Sequence, residues 1–198
     1  MGFRKLTLEN MVNNNFLDYY KDKKIFVTGH TGFKGSWLVY ALIKAGAIVK
    51  GYSLAPETSP SLYSFIEKSI EIESIIADIN DAAKLEEELF SFQPDFVFHL
   101  AAQPLVRKSY KEPLNTFTTN IIGTANLLNA LYKLQKPCTC VLITTDKVYE
   151  NKEWHYPYRE TDRLGGYDPY SASKACAELV IDSYRNSYFH INDFAKHQ

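Results

Sequence analysis

The sequence has 198 residues, the size of one ordinary domain or of one domain with part of another. Hydrophobic residues make up 45% and charged residues 23%, close to the averages of globular proteins, which argues against a disordered chain. Lys and Arg number 22 and Asp and Glu 23, so the net charge of −1 lacks the basic excess of a dedicated nucleic-acid-binding protein.

The apolar patterning and the cysteines exclude further classes of protein. No uninterrupted apolar run approaches the roughly 20 residues that span a bilayer, and the N-terminus lacks the apolar core of a signal peptide. Cys138, Cys140 and Cys176 are too few for a disulfide framework, and their spacing is that of neither a redox motif nor a zinc site. We interpret them as buried free thiols and predict no membrane segment, no bound metal and a cytoplasmic location.

The chain divides into an arm and one domain. Residues 1–20 form an irregular N-terminal arm that a run of asparagines at residues 13–15 interrupts. Met11 is an alternative natural start, which would make residues 1–10 non-native. From residue 21 to residue 198 the sequence predicts a single domain.

Within that domain, runs of β-branched and aromatic residues alternate with segments of helical periodicity. The predicted strands are residues 24–28, 48–54, 72–77, 96–100 and 140–144. The predicted helices are residues 33–45, 81–90, 113–134 and 170–188. Strands separated by helices imply right-handed βαβ crossovers, and apolar strands indicate a sheet covered on both faces. We predict an α/β fold, a doubly wound parallel sheet with flanking helices.

A glycine-rich turn links the first strand to the first helix. Gly29, Gly32 and Gly35 are three residues apart, so backbone N–H groups can approach a pyrophosphate at a helix N-terminus. This spacing differs from the general G-x-G-x-x-G fingerprint, and a plain strand-to-helix turn is the alternative. The position after the first strand of a βαβ unit favours a bound dinucleotide.

The residues of the second and third strands do not distinguish NAD from NADP. Residues 50–55 contain neither the acid that usually holds the adenosine ribose nor an arginine for a 2′-phosphate, so NAD and NADP are not distinguished there. Asp78 follows the third strand, where it is a candidate acceptor for the adenine amino group and equally a cap of the next turn.

Two further motifs suggest proton-transfer chemistry. Tyr170 and Lys174 are four residues apart and share a helix face, and a lysine ammonium beside a phenol lowers the phenol pKa from about 10 toward neutrality. Such a tyrosine can remove a proton from an alcohol. The polar residues Thr144 to Lys147 follow the fifth strand, where open α/β sheets bind ligands, although strand-end capping is the alternative.

Other conspicuous side chains have structural interpretations. We interpret His30 as a turn residue, His99 as a satisfied core histidine, and Phe33 and Trp37 as helix packing. Trp37, Leu38, Ala41 and Leu42 form the predicted apolar face of the first helix. Loop packing is the favoured role of the aromatic stretch at Tyr149, Trp154, Tyr156 and Tyr158, although such a stretch could also edge a sugar site.

Together these motifs resemble the extended short-chain dehydrogenase/reductase superfamily, in its nucleotide-sugar 4,6-dehydratase branch. Residues 28–35 resemble the T-G-x-x-G-x-x-G loop, residues 99–102 the fourth-strand motif, and residues 120–124 the N-x-x-G-T helix motif. Tyr170 and Lys174 match the catalytic pair. The resemblance covers nearly everything beyond the arm and implies a Rossmann-like NAD-binding domain.

Within that branch the chain is most similar to the group that acts on CDP-glucose. Residues 29–38, 100–110, 144–151 and 166–178 carry this similarity, and Lys147 stands where other dehydratases have an acid. The resemblance implies CDP-glucose or a related sugar nucleotide as the substrate. It also implies a homodimer formed through helices 115–134 and 171–188.

The resemblance implies a set of contacts for each ligand. Contacts to NAD would come from Gly29, Thr31, Gly32, Phe33, Lys34, Gly35, Asp78, Ile79, Leu100, Ala101, Ala102, Asn120, Thr144, Tyr170 and Lys174. Contacts to the substrate would come from Gln103, Arg107 and Thr145, with a surface ion pair as the alternative for Arg107.

It also implies a mechanism. Tyr170 would deprotonate the glucose 4-hydroxyl, Thr145 would hydrogen-bond that hydroxyl, and Lys174 would hold the nicotinamide ribose. Asp146 would protonate the departing 6-hydroxyl. Lys147 would act as the base for C5–H, as a stabiliser of the enolate or as the anchor of a water, with an ordinary ion pair as the alternative.

The C-terminus departs from this pattern. Only 24 residues follow Lys174, so we expect a truncated chain that lacks the sugar-nucleotide domain and does not turn over CDP-glucose alone. Two other functions stay open: a non-catalytic NAD-binding module, and a nucleotide-sugar epimerase. The acid at Asp146 beside Lys147 disfavours the epimerase, because epimerisation has no leaving group to protonate.

Overall fold

The computed structural model describes residues 16–134 and 136–189, so residues 1–15 of the predicted arm and residues 190–198 of the predicted domain lie outside it. The described part of the arm is a 3-10 helix at Phe16–Tyr20. Five strands form one parallel sheet in the order β3-β2-β1-β4-β5. The predicted α/β fold class is confirmed.

The elements follow the predicted alternation. The strands are β1 (Lys24–Thr28), β2 (Ile48–Ser53), β3 (Glu73–Ile76), β4 (Phe96–His99) and β5 (Thr139–Leu142). The helices are α1 (Phe33–Lys44), α2 (Leu62–Ile66), α3 (Ala82–Phe92), α4 (Val106–Lys111), α5 (Pro113–Phe117), α6 (Gly123–Lys133) and α7 (Pro169–Ser187). A π-helical segment, Thr118–Ile122, joins α5 to α6, and 3-10 helices lie at Glu67–Ser69 and Asp146–Val148.

The central strand β1 explains the two-sided core. Successive side chains of a strand point to opposite faces, and Ile25, Phe26 and Val27 are all fully buried. Phe26 packs in a cluster with residues of α3 and α6, while Ile25 and Val27 pack in a second cluster with residues of α1. Burial of each such side chain stabilises the fold by about 1.5–3 kcal/mol. Because both faces of β1 are covered, residues 25–27 are all apolar.

The strand order places a crevice at the carboxyl end of β1. The chain runs outward from β1 through β2 to β3 and then returns to β4 on the other side of β1. The connections that follow β1 and β4 therefore leave the sheet in opposite directions. Open α/β sheets bind ligands at this point of reversal.

The predicted packing of the first helix is wrong for Phe33 and Trp37, whereas Leu42 is 1% exposed and lies in the core as predicted. Trp37 and Phe33 are 54% and 72% exposed, whereas the buried residues of α1 include Gly35, Ser36 and Val39. A Cβ at Gly35 would lie 2.1 Å from the Gly29 carbonyl oxygen, so α1 approaches the loop too closely for large side chains on that face. The aromatic residues consequently lie on its outer side.

The second strand carries a buried cation. Lys50 is 4% exposed and forms ion pairs with Glu73 of β3 at 2.7 Å and Glu88 of α3 at 2.9 Å. Burial disfavours its charge, but hydrogen bonds to Glu73 and Glu88 outweigh burial and raise the Lys50 pKa. Lys50 therefore ties β2 to β3 and α3.

The predictions of free thiols and of no membrane segment can be compared with the structure. Cys138, Cys140 and Cys176 are free thiols, as predicted, but they are only partly buried. Burial raises the pKa of Cys138 and Cys140 to about 12. Across residues 16–134 and 136–189, none of the helices has the length and apolarity needed to cross a membrane.

Candidate active site

The glycine loop depends on close backbone contacts. Gly29 has a φ of +76°, and a Cβ there would lie 2.7 Å from the Ala101 amide nitrogen. Its own N–H donates to the Tyr52 carbonyl at 2.9 Å. Gly32 is the N-cap of α1 and has no side chain to accept from the first turn, so the first N–H groups of α1 suit an incoming phosphate.

His30 lies in the turn after β1, as predicted, but its side chain also has a packing role. Its ring is fully buried, its Nε2 is 2.7 Å from Ser74 Oγ, and it meets the Tyr63 ring edge-on at 5.1 Å. A Cβ at Gly51 would lie 2.4 Å from the His30 ring, so Gly51 leaves the space the ring fills. Burial lowers the His30 pKa to about 4. The glycine inside β2 was the available sequence signal for such an approach.

Hydroxyl groups lie where the ribose-binding acid is missing. Thr31 donates to the Leu54 carbonyl at 2.7 Å and lies 2.8 Å from Ser53 Oγ. Because the Thr31 proton points to the carbonyl, Ser53 must donate to Thr31, which leaves the lone pairs of Ser53 as acceptors. Asp78 is exposed and accepts from the Asn80 N–H at 2.9 Å, so it caps a turn.

His99 is a satisfied core histidine, as predicted. Its Nδ1 is 2.7 Å from Thr28 Oγ1 and its Nε2 is 3.1 Å from Thr124 Oγ1. The Thr124 hydroxyl donates to the Asn120 carbonyl at 2.7 Å, so it accepts from Nε2–H, and Nδ1 accepts from Thr28. Burial, with the charge of Lys174, lowers the His99 pKa to about 3. The neutral ring therefore joins β1, β4 and α6.

Asn120 and Gln103 hold the next layer together. In the π-helical segment, Asn120 Oδ1 accepts from the Gln103 N–H at 2.8 Å, and its Nδ2 donates to Gln103 O at 3.1 Å and Ser173 Oγ at 2.8 Å. The Gln103 side chain donates to Thr116 Oγ1 at 2.9 Å. These contacts fasten the loop after β4 to α7. The predicted ligand contacts of Asn120 and Gln103 stay predictions.

The polar residues after β5 meet the start of α7. The Thr145 hydroxyl donates to Asp146 Oδ1 at 3.1 Å, and Lys174 Nζ donates to the Ile143 carbonyl at 2.9 Å. Asp168 caps α7 by accepting from the Ser171 N–H at 3.0 Å. This cap fixes the start of α7 and so the positions of Tyr170 and Lys174 in its first two turns. The structure thus brings together Thr144, Thr145, Asp146, Tyr170 and Lys174.

The predicted tuning of Tyr170 is wrong in this structure. Burial raises the Tyr170 pKa, a hydrogen bond with Thr145 opposes the rise, and the charge of Asp146 adds to it. Burial also lowers the Lys174 pKa to about 8. Because the Lys174 ammonium is bonded to the Ile143 carbonyl, it does not offset the burial of the phenol.

Several predicted residues are exposed around this cluster. Lys147, Phe33 and Lys34 are exposed, and Arg107 lies on α4 in an open groove of about 570 Å³. Further along, the rings of Tyr149 and Tyr158 stack with centroids 5.3 Å apart, and Trp154 lies 5.7 Å from Tyr158. These contacts agree with loop packing for Tyr149, Trp154 and Tyr158, whereas Tyr156, assigned the same role, is 75% exposed.

Glu178 is a further residue of this cluster that no sequence motif singled out. This residue lies one turn beyond Lys174 on α7 and accepts from the Thr144 hydroxyl at 2.5 Å. The available signal was its i+4 spacing from Lys174, which places it on the same face of the helix.

A glycine loop after β1 and a Tyr-x-x-x-Lys pair on α7, on one parallel sheet, define a member of the short-chain dehydrogenase/reductase class. The sequence model of one family in that class, described as GDP-mannose 4,6 dehydratase, matches residues 26–192. The chain belongs to this family.

Individual relatives agree. The chain is 49% identical over 187 residues to CDP-glucose 4,6-dehydratase of Salmonella typhimurium, covering 94% of this chain and 51% of that enzyme. It is similar to the solved UDP-glucose 4-epimerase of Thermotoga maritima, with a TM-score of 0.71 and 29% identity, over 83% of this chain and 52% of that one. A dTDP-glucose 4,6-dehydratase of Streptomyces venezuelae, solved with NAD bound, has a TM-score of 0.73 and 27% identity over the same shares, 83% and 52%. The chain spans about half the length, or less, of the curated relatives it matches.

The space at Gly51 gives a test of the His30 contact. We predict that Gly51→Ala lowers the free energy of unfolding by about 1–3 kcal/mol, because the added methyl overlaps the buried ring. Urea denaturation measures this. Gly165→Ala is the matched control, since its Cβ would lie an ordinary 3.5 Å from Glu150 Cβ. Equal effects of the two substitutions would contradict the assigned packing.

Proposed function

We propose that the chain supplies the cofactor-binding and catalytic residues of an NAD-dependent CDP-glucose 4,6-dehydratase. The observation that carries this proposal is the convergence of the Gly29–Gly35 loop and the Tyr170–Lys174 pair at the carboxyl end of one parallel sheet. The 49% identity to the Salmonella enzyme supports CDP-glucose as the sugar nucleotide. The relative solved with NAD supports the cofactor.

The residues present fit a dinucleotide. The close backbone contacts at Gly29 and Gly35 keep side chains out of the loop, and the start of α1 offers N–H groups to a phosphate. The pyrophosphate would be held by Gly29, Thr31, Gly32, Phe33, Lys34 and Gly35. The adenosine would be held by Asp78 and Ile79, and the nicotinamide riboside by Leu100, Ala101, Ala102, Asn120, Thr144, Tyr170 and Lys174.

The first half of the reaction belongs to α7 and the end of β5. A bound NAD would supply the acceptor for the hydride from C4 of the glucose and its later donor to C6. Tyr170 removes the proton of the 4-hydroxyl while Thr145 hydrogen-bonds that hydroxyl. Since burial favours the neutral phenol, this step requires Lys174 to bring its positive charge toward Tyr170.

The second half is elimination. The 4-keto group acidifies C5–H, Asp146 protonates the departing 6-hydroxyl as water, and Lys147 assists removal of the C5 proton. Gln103 and Arg107 are the proposed contacts to the rest of the sugar nucleotide. The product, a CDP-4-keto-6-deoxyglucose, would supply cytoplasmic synthesis of deoxysugars for lipopolysaccharide or another surface polysaccharide.

Titration with NAD and NADP tests the proposal. We predict that NAD quenches the intrinsic fluorescence at lower concentration than NADP, and that Gly32→Val weakens NAD binding on the order of tenfold, or about 1.4 kcal/mol. Gly32 is exposed, so this substitution crowds the phosphate site without filling the core. Gly165→Ala serves as the control with unchanged affinity. A clear preference for NADP would overturn the choice of cofactor.

We also propose a homodimer through α5 to α7. Exposed apolar side chains lie along these helices, at Leu114, Ile122, Tyr132, Leu179 and Tyr188. Pairing of two such faces would form a four-helix interface.

We predict that light scattering gives a dimer mass and that Leu179→Glu shifts the protein to monomer. Leu54→Glu, at a residue that is 54% exposed outside these helices, should leave the mass unchanged. A monomer mass at every protein concentration would disprove the dimer.

Lys147 tests the division of the reaction into halves. We predict that Lys147→Ala, in a protein that also carries the remaining length of the relatives, accumulates reduced cofactor and a 4-keto-glucose intermediate. The reason is that hydride transfer depends on Tyr170 whereas elimination depends on Lys147. Stopped-flow absorbance of NADH measures this. Elimination at the unmodified rate would remove Lys147 from the chemistry.

A further inference from the structure

The face of α7 toward β5 carries a third ionisable residue that the proposed mechanism leaves without a role. Tyr170, Lys174 and Glu178 are spaced by four residues and so lie one above the other. Lys174 Nζ donates to the Ile143 carbonyl at 2.9 Å, and Glu178 Oε1 accepts from the Thr144 hydroxyl at 2.5 Å. Lys174 and Glu178, on successive turns of α7, therefore bind Ile143 and Thr144, the two residues that follow β5.

The contact between Thr144 and Glu178 has the length of a charge-assisted hydrogen bond. Distances of about 2.5–2.7 Å are typical of a hydroxyl that donates to a carboxylate. In the described part of the chain, β5 is an edge strand, and its backbone bonding to β4 runs to Ile143, whose N–H donates to the His99 carbonyl at 3.0 Å. Thr144 lies just beyond, so Glu178 anchors the start of the turn that carries Thr145 and Asp146.

The charge of Glu178 also acts on Lys174. Lys174 is 5% exposed, and its burial disfavours the ammonium form, while the negative charge of Glu178 favours it. The other titratable groups around Lys174 are Tyr170 on the same helix and His99 at the end of β4, which burial keeps neutral. Asp146 lies at the strand end and acts on Tyr170. Among the described groups that act on Lys174, Glu178 is the anion that favours its ammonium form.

We propose that Glu178 is a positioning residue of the active site, which fixes the turn after β5 through Thr144 and stabilises the Lys174 ammonium by its charge. The contacts stand independently of the reaction, but their catalytic importance rests on the proposed function. In this role Glu178 acts on catalysis through Thr144 and Lys174 and does not itself contact the substrate.

Two substitutions separate the two effects. Glu178→Gln keeps an oxygen that can accept from Thr144 but removes the charge. Thr144→Val removes the hydroxyl donor but keeps the charge. Asp182→Asn is the matched control, because Asp182 lies one turn beyond Glu178 and its exposed carboxylate accepts from Asn186 Nδ2 at 2.9 Å.

The measurement is the pH titration of the Lys174 Cε resonance in the ¹³C-lysine-labelled protein without cofactor. We expect a midpoint near 8 in the unsubstituted protein and a lower midpoint in Glu178→Gln. Thr144→Val and Asp182→Asn should keep the unsubstituted midpoint. The N–H groups of Val148 and Tyr149 donate to the Thr145 and Asp146 carbonyls at 3.3 Å. Their amide exchange should become faster in Thr144→Val and stay unchanged in Asp182→Asn.

An unchanged midpoint in Glu178→Gln, or an equal decrease in Asp182→Asn, would overturn the proposal. If Glu178→Gln fails to fold, Glu178→Ala decides: a lowered midpoint supports the charge effect, and the unsubstituted midpoint contradicts it. Titration of the unsubstituted protein with NAD tests the proposed function separately. A protein that shows the Lys174 shift but binds no NAD would refute only the proposed function.

Discussion

The close approach of three backbone segments at the carboxyl end of β1 is the constraint on which the site depends. Gly29 lies against the backbone of Leu100 and Ala101, and Gly35 lies against Gly29. A methyl group at either glycine would separate the loop from the strand or the helix from the loop. This contact sets where α1 begins, and it pushes the aromatic residues of α1 to its outer side. It also leaves N–H groups, and no side chain, at the point where a phosphate would bind.

Buried neutral hydrogen bonds carry this arrangement across the sheet to α7. Thr28 at the end of β1 binds His99 at the end of β4, His99 binds Thr124, and Thr124 binds the Asn120 carbonyl. Asn120 in turn binds Ser173, the neighbour of Lys174. Since a buried polar group without a partner costs about 1–3 kcal/mol, each member of this chain fixes the next. One continuous series of hydrogen bonds therefore links the end of β1, where the glycine loop begins, to the helix that carries Tyr170 and Lys174.

Local patterns predicted most of the fold. The five strands and the glycine loop follow from nearby residues, and the structure has them within a few positions. The helices α2 and α4 were not predicted, because five or six residues give too little periodicity. Helix α1 was predicted only in part, because Leu42 is buried as predicted but Phe33 and Trp37 are exposed. Its apolar stripe suggested Trp37, but the neighbouring glycine loop decided which residues could be buried.

The site was harder to predict where its geometry depends on contacts between residues distant in the sequence. The motifs at Gly29–Gly35 and Tyr170–Lys174 identified its two halves. The burial of His30 against Gly51, the bond from Lys174 to Ile143 and the contact of Glu178 with Thr144 join residues 21 to 34 positions apart. No local pattern contains them, and they decide the charge and orientation of the groups that the motifs name.

A crystal structure of the protein soaked with NAD tests the central claim most directly. The account predicts the pyrophosphate over Gly29 to Gly35 and the nicotinamide ribose within hydrogen-bond distance of Tyr170 and Lys174. It also predicts that the His99 and Asn120 contacts are unchanged. A cofactor bound away from the end of β1, or a nicotinamide that does not reach Tyr170, would contradict the claim that these elements form one dinucleotide site.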